Sequence, residues 1–205
     1  MKTIDDHNIN NKKILFRADL NVPVVDGKIT DYSRINAILP SLNKLRKNQN
    51  KIFIISHFGR PNGELNEKFS LRFLCDELRK KLEVPKIHFL KNYINSNISQ
   101  MLSEMQEGEI CLLENIRFHK GEISNDINFS KNLSSSFDFY VNDAFSASHR
   151  NHSSIVGLPK LLPSLAGQSF KKEVHNLNLF LNNTQKPNIA IIGGSKISTK
   201  IKVIY

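Results

Sequence analysis

Cysteine is scarce in this sequence. Only Cys75 and Cys111 occur in 205 residues, at a spacing that suits neither a zinc site nor a redox pair. Cys75 falls on a helical apolar pattern and Cys111 on a strand pattern, so both read as small core residues. Long apolar runs are missing as well: no stretch reaches the ~18 residues that a membrane-spanning helix needs. No membrane partner is expected. The opening MKTIDDHNIN is polar and acidic and does not read as a secretory signal, so the expected compartment is the cytoplasm. Internal repeats and low-complexity segments are absent too. Acidic residues are few, 19 against 29 Lys and Arg, which leaves a net charge of +10. Such a charge admits a nucleic-acid or polyanion binder. The sequence shows no aromatic-interleaved basic strand, recognition helix or zinc spacing, so no nucleic-acid partner is assigned. Heavy use of Lys, Asn and Ile throughout accounts for the charge more simply.

Arginine is the rare cation. There are eight, Arg17, Arg34, Arg46, Arg60, Arg72, Arg79, Arg117 and Arg150, and four sit just beyond strand-like segments. Where lysine is the default, an arginine in such a loop points to a need for a planar, bidentate donor. The remaining composition is that of a globular protein: 40% apolar residues, enough for a sizeable core, and 23% charged.

Short apolar runs alternate with amphipathic stretches. Strands are expected at 14–18, 52–56, 86–90, 109–114, 138–143 and 188–193. Helices are expected at 34–48, where Pro40 should kink or break the run. Others are expected from a Ser70 cap to about Leu82, with Leu71, Leu74, Cys75, Leu78 and Leu82 on one face, and at 94–106, 126–136 and 168–183. Asp26-Gly27 reads as a hairpin turn. The stretch PSLAGQ at 163–168 reads as an interruption near a domain boundary. Alternation of this kind implies an α/β fold with a parallel sheet covered on both faces, a three-layer, Rossmann-like domain. Ligands of such sheets bind beyond the carboxyl ends of the strands. The loops there, ADLNVP, SHFGRPNGE, ENIRFHKGE and NDAFSASHRNH, would bring Asp19, Asn21, His57, Arg60, Arg117 and Arg150 to one rim, with Arg34 entering from the first helix. Arginines and a histidine around a rim suit a ligand bearing phosphate, carboxylate or both.

At these loops the sequence resembles the phosphoglycerate kinase family. FRADLNVPVVDGKITDYSRI resembles its R-x-D-x-N-V-P segment, and SHFGRP its S-H-x-G-R-P loop. LLENIRFHKGE, YVNDAFSASHRNHSSIVG and IIGGSKISTKI resemble three further segments in the family's order, and together they span essentially the whole chain. One departure is plain: the Gly-Thr pair before the family's H-R motif is Ser146-Ala147 here, with Ser148 beside His149. The resemblance implies a two-domain hinge kinase that works as a monomer in glycolysis. It moves a phosphoryl group between 1,3-bisphosphoglycerate and ADP, giving 3-phosphoglycerate and ATP, with Mg2+ arriving on the nucleotide. It implies that Asp19, Leu20, Asn21, Arg34, His57, Phe58, Gly59, Arg60, Arg117 and Arg150 form the 3-phosphoglycerate site. Arg34, Lys196 and Lys200 would be catalytic, and the two lysines would face the nucleotide phosphates. The implied organisation is a substrate-binding domain over 1–166, an interdomain helix over 167–184 and the start of a nucleotide-binding domain over 185–205.

Since the family's adenine pocket and C-terminal nucleotide loop are not in these 205 residues, the chain is expected to be a fragment without appreciable turnover. Residues 188–193 and 201–205 are expected to expose apolar surface. A non-catalytic module that binds a phosphorylated acid through the same arginine rim is the alternative. His149 and His152, three apart, are completed by no carboxylate or Cys, so no metal site is assigned. GGSKISTK is not a Walker A loop, because Ser195 precedes Lys196. His7, His88, His119 and His175 read as surface or packing residues. Asp143 reads as a brace for its loop.

Overall fold

A computed structural model describes residues 1–94, 97–182 and 189. Lys196, Lys200, residues 201–205 and, apart from Ile189, the strand expected over 188–193 lie outside the described residues. Residues 1–174 form one compact unit and 175–205 a second. The described part of the second ends a helix and exposes Leu177, Leu179, Phe180 and Leu181.

The strands of the first unit are β1 (Lys13–Ala18), β2 (Val24–Val25), β3 (Lys28–Ile29), β4 (Lys51–Ile55), β5 (His88–Leu90), β6 (Ile110–Leu113), β7 (Phe139–Asp143) and β8 (Ser164–Ala166). The helices are α1 (Ser33–Lys47), α2 (Leu74–Leu82), α3 (Asn97–Glu104), α4 (Lys120–Ser124), α5 (Ile127–Ser134) and α6 (Gln168–Asn182). Six strands make one parallel sheet in the order β5-β6-β4-β1-β7-β8, as expected of the α/β class. The small β2–β3 hairpin turns at Asp26 and Gly27, both at positive φ, so the glycine has the turn role expected of it.

Strand alternation divides the core in two. Ile14, Phe16, Ile52, Ile54, Ile110 and Leu112 face α1 and α2. Leu15, Phe53, Ile55, Cys111, Leu113 and Tyr140 face the other way, toward α3 and α5. A central parallel strand buried on both faces reads as a continuous apolar run, which is why β4 and β6 were legible.

Several elements differ from expectation. Pro40 does not break α1, which runs through it. Pro40 is exposed, so water can serve the helix carbonyl left without an N–H partner. α2 starts at Leu74 rather than just after Ser70. The Ser70 hydroxyl accepts from Arg72 N–H and donates to Glu114 Oε2, so Ser70 stabilises a turn one step before the helix. Cys75 is only half-buried, because it lies at the margin of the α2 apolar stripe; its neighbours Leu74 and Leu78 take the core positions. The segment read as a domain boundary contains β8, which pairs with β7 from Tyr140↔Ser164 to Asn142↔Ala166. A three-residue edge strand is too short to show a period.

Candidate anion-binding site

The chain leaves β1 in one direction, toward β4, and later returns to the other side of β1 to lay down β7. The carboxyl ends of β1 and β7, where Ala18 pairs with Asp143, are therefore a topological switch point. The loops after β1, β4, β6 and β7 meet there and are tied by their own polar groups. Ser56 Oγ accepts from Leu20 N–H (3.0 Å) and donates to the Ala18 carbonyl (2.8 Å). Asn21 Oδ1 accepts from Gly59 N–H (2.9 Å), and Asn115 Nδ2 donates to the Phe58 and Phe69 carbonyls (2.7 and 2.8 Å). Gly59 has φ +61°, and a Cβ there would lie 2.3 Å from a ring carbon of Phe69; only glycine fits. Leu20 is fully buried and Phe58 packs edge-on against Phe73, so these two serve the loops by packing.

Two hollows open at this end. Arg60, Arg117 and Arg150 converge with Asn62 and His152 around one of about 210 Å³. Arg117 is buried; its Nη1 donates to the Gly59 carbonyl at 2.9 Å, while Nε and Nη2 have no hydrogen-bond partner among the described residues. Burial, then the neighbouring Arg150 and Arg17, lower its pKa to about 10. Buried donors without acceptors are costly unless something supplies one, and an oxyanion would.

The second hollow, about 440 Å³, is lined by Asp19, Arg34, Asp143 and Ser146 among others. Asp19 Oδ2 takes hydrogen bonds from Arg34 Nη1 and from the Ser146 hydroxyl. Its Oδ1 accepts from Asn21 N–H at 3.3 Å. Ser146, the first of the two residues that depart from the family pattern, thus makes a side-chain bond to Asp19 that glycine would lack. Asp143 turns inward as a brace: its Oδ1 accepts from Phe170 N–H (2.8 Å) in the first turn of α6.

His57 is buried, with its Nδ1 3.1 Å from Arg17 Nη2. Burial first, then Arg17, Arg117, Arg150 and Arg34, depress its pKa to about 2, so the ring is neutral. Arg17 is the residue that sequence reasoning missed. Its signal was an arginine inside an apolar strand, a position that arginine seldom takes without buried partners.

A larger hollow, about 850 Å³, lies by β5 and α2. It mixes Lys68, Arg72 and Lys86 with Glu67, Asp76 and Glu104, so it has no charge bias toward an anion. Among the described residues no cluster of three or more His, Cys, Asp or Glu could hold a metal ion, and no helix is long and apolar enough to cross a membrane.

The model of the family described as phosphoglycerate kinase matches residues 4–205. The chain belongs to the phosphoglycerate kinase family. The phosphoglycerate kinase of Brucella melitensis is 40% identical over 203 residues, and that of Sinorhizobium fredii is 43% identical over 204. Each alignment covers 99% of this chain and 51% of the relative. The crystal structure of phosphoglycerate kinase from Pyrococcus horikoshii superposes with a TM-score of 0.90 at 30% identity, across the whole of this chain and 51% of that one. The Coxiella burnetii phosphoglycerate kinase gives 0.84 at 35%, covering 98% and 50%. The chain therefore spans about half the length of the phosphoglycerate kinases it matches.

Proposed function

We propose that this chain is the 3-phosphoglycerate-binding half of a phosphoglycerate kinase. The observation that carries the reading is the buried Arg117, two of whose donor nitrogens have no partner among the described residues, beside Arg60 and Arg150. These three arginines hold the 3-phosphate, and His57 helps to bind it. Asp19 and Asn21 position the hydroxyl and carboxylate end of the glycerate. Leu20, Phe58 and Gly59 shape the loops that carry them. Arg34, at the mouth of the second hollow, reaches the transferring phosphoryl group. Residues 1–166 form the substrate-binding domain, 167–184 the connecting helix and 185–205 the beginning of the nucleotide-binding domain, from which Lys196 and Lys200 face the nucleotide phosphates.

A whole kinase of this kind transfers a phosphoryl group reversibly between 1,3-bisphosphoglycerate and ADP, as a monomer in the cytoplasm, in glycolysis. The attacking carboxylate or phosphate oxygen is already an anion, so no strong general base is needed. Catalysis then rests on positioning and on cations placed around the transferring oxygens. Mg2+, carried by the nucleotide, adds to that neutralisation.

Isothermal titration of the 205-residue chain with 3-phosphoglycerate tests the reading. Saturable one-site binding is expected. Arg117→Met should weaken it about 10- to 100-fold, the value of one charge-assisted hydrogen bond at ~1.5–3 kcal/mol. Equal affinity in the variant would refute the site. A coupled assay with ATP and 3-phosphoglycerate is expected to show no robust turnover from this chain alone, because the nucleotide must be brought to the acid by a second domain. Binding without turnover is also what a non-catalytic module predicts. Turnover restored by supplying the other half of a related kinase separates the two.

A further inference from the structure

We infer that Arg17 is a positioning residue of this site: it fixes the neutral imidazole of His57 in the Nε2–H tautomer, so that the ring offers a donor to an anion. Alternation along β1 puts Arg17 on the face of Leu15, away from α1, and the side chain is 1% exposed. Its guanidinium is fully directed. Nε donates to Ser154 Oγ (3.1 Å), Nη1 to the Ala18 carbonyl and Nη2 to His57 Nδ1 (3.1 Å). Behind it stands Glu122, fully buried in α4. The Glu122 carboxylate accepts from Ser154 N–H (2.8 Å) and from the Ser154 hydroxyl (2.6 Å). Because the hydroxyl proton goes to Glu122, Ser154 Oγ is left to accept from Arg17. The donor direction is therefore set along the chain from His57 back to the carboxylate.

Arginine has no acceptor, so the nitrogen facing it must present a lone pair. Nδ1 is then unprotonated and the single ring proton sits on Nε2. A second proton, on Nδ1, would point at the guanidinium's own N–H. The surrounding groups act the same way. Arg17 from β1, Arg34 from α1, Arg117 after β6 and Arg150 after β7 all disfavour an imidazolium. Glu122, the carboxylate behind Arg17, is taken up by Ser154 and lies 3.5 Å from His152 Nδ1. Among the described residues no side chain or carbonyl accepts from His57 Nε2, which leaves its proton for a ligand oxygen. The identity of that ligand rests on the function proposed above; the tautomer does not.

Nitrogen-15 NMR of the histidine rings in the 205-residue chain tests this directly, with His57 assigned by loss of its signals in His57→Gln. The expected result is a protonated Nε2 and a bare Nδ1, unchanged from pH 5 to 8. Arg17→Met should convert this to a mixture of tautomers that titrates within that range. Ser154→Ala, which removes an anchor of Arg17 while sparing the guanidinium, should shift the same signals in the same direction, and it gives the reading should Arg17→Met fail to fold. A His57 that carries its proton on Nδ1, that titrates between pH 5 and 8 in the unaltered chain, or that is indifferent to both substitutions overturns the proposal. Addition of 3-phosphoglycerate separates the two readings. If the tautomer is as expected and the acid does not bind, the functional proposal fails and the role of Arg17 stands.

Discussion

A carboxylate and a guanidinium, each buried at the end of a strand, show how much of this site depends on single residues. Asp143 is 2% exposed and pressed against Gly167, where a Cβ would come within 2.3 Å of the carboxyl carbon. Burial raises its pKa from 3.8 to about 6, although the Phe170 amide opposes the shift. The sign follows from proton counting: between those two values the folded chain binds more protons than the unfolded one. The carboxyl group therefore favours folding at low pH, and that advantage is lost as pH rises through about 6. Two pKa units set an upper limit of about 3 kcal/mol. Asp143→Asn keeps an acceptor for Phe170 N–H and removes the charge. Its stability relative to the parent chain should therefore grow between pH 4.5 and 7.5, read as the difference between urea midpoints. A difference that stays flat with pH would place the titration elsewhere. Asp143 was legible in the sequence as a brace, because it stands where a strand turns into a loop. Arg17 was not, because its partner Ser154 and the Glu122 that holds Ser154 are more than a hundred residues away along the chain, and no local pattern connects them.

At the scale of elements, periodicity worked where an element is long or doubly buried and failed where contacts decide. β1, β4, β6 and β7 lie where apolar runs placed them, and α6 begins at Gln168 as expected. The five-residue α4 was missed, since it shows no amphipathic period; it exists to seat Glu122 under Ser154. Helix α1 is the clearest case of packing overriding propensity. Ile35, Ile38, Leu42 and Leu45 anchor it on the sheet from both sides of Pro40. Burying four such side chains is worth roughly 1.5–3 kcal/mol each, enough to outweigh a proline that costs about 3 kcal/mol in a helix interior. Pro40→Ala restores the missing donor on an exposed position. It also frees the unfolded chain, which returns about 0.4–1 kcal/mol of the gain. A net stabilisation of about 2–2.6 kcal/mol is therefore expected from chemical denaturation. A loss of stability would mean that the backbone constraint of Pro40 is required for α1 to follow the sheet.

For the whole molecule, the issue is whether the charge of +10 acts as a general field or through a few placed arginines. The charges are spread widely: Lys12 and Lys47 lie at the amino-terminal end of the sheet, opposite the rim that holds Arg60, Arg117 and Arg150. A strand of six residues is about 20 Å long. At physiological ionic strength a charge is screened over about 8 Å. The distant lysines therefore contribute almost nothing to the potential at the rim. Lys12→Gln with Lys47→Gln should change 3-phosphoglycerate affinity by less than about twofold at 0.15 M salt, because both charges lie beyond the screening length. Arg150→Ala, removing one charge instead of two, should cost about tenfold or more, since a charge-assisted hydrogen bond is lost with it. The same titrations repeated at lower salt should narrow the contrast, because the screening length grows to about 30 Å at 0.01 M. If the paired lysine substitutions cost as much as Arg150→Ala at 0.15 M, binding follows net charge. The rim would then be one patch of a diffuse polyanion surface, as the composition alone allows.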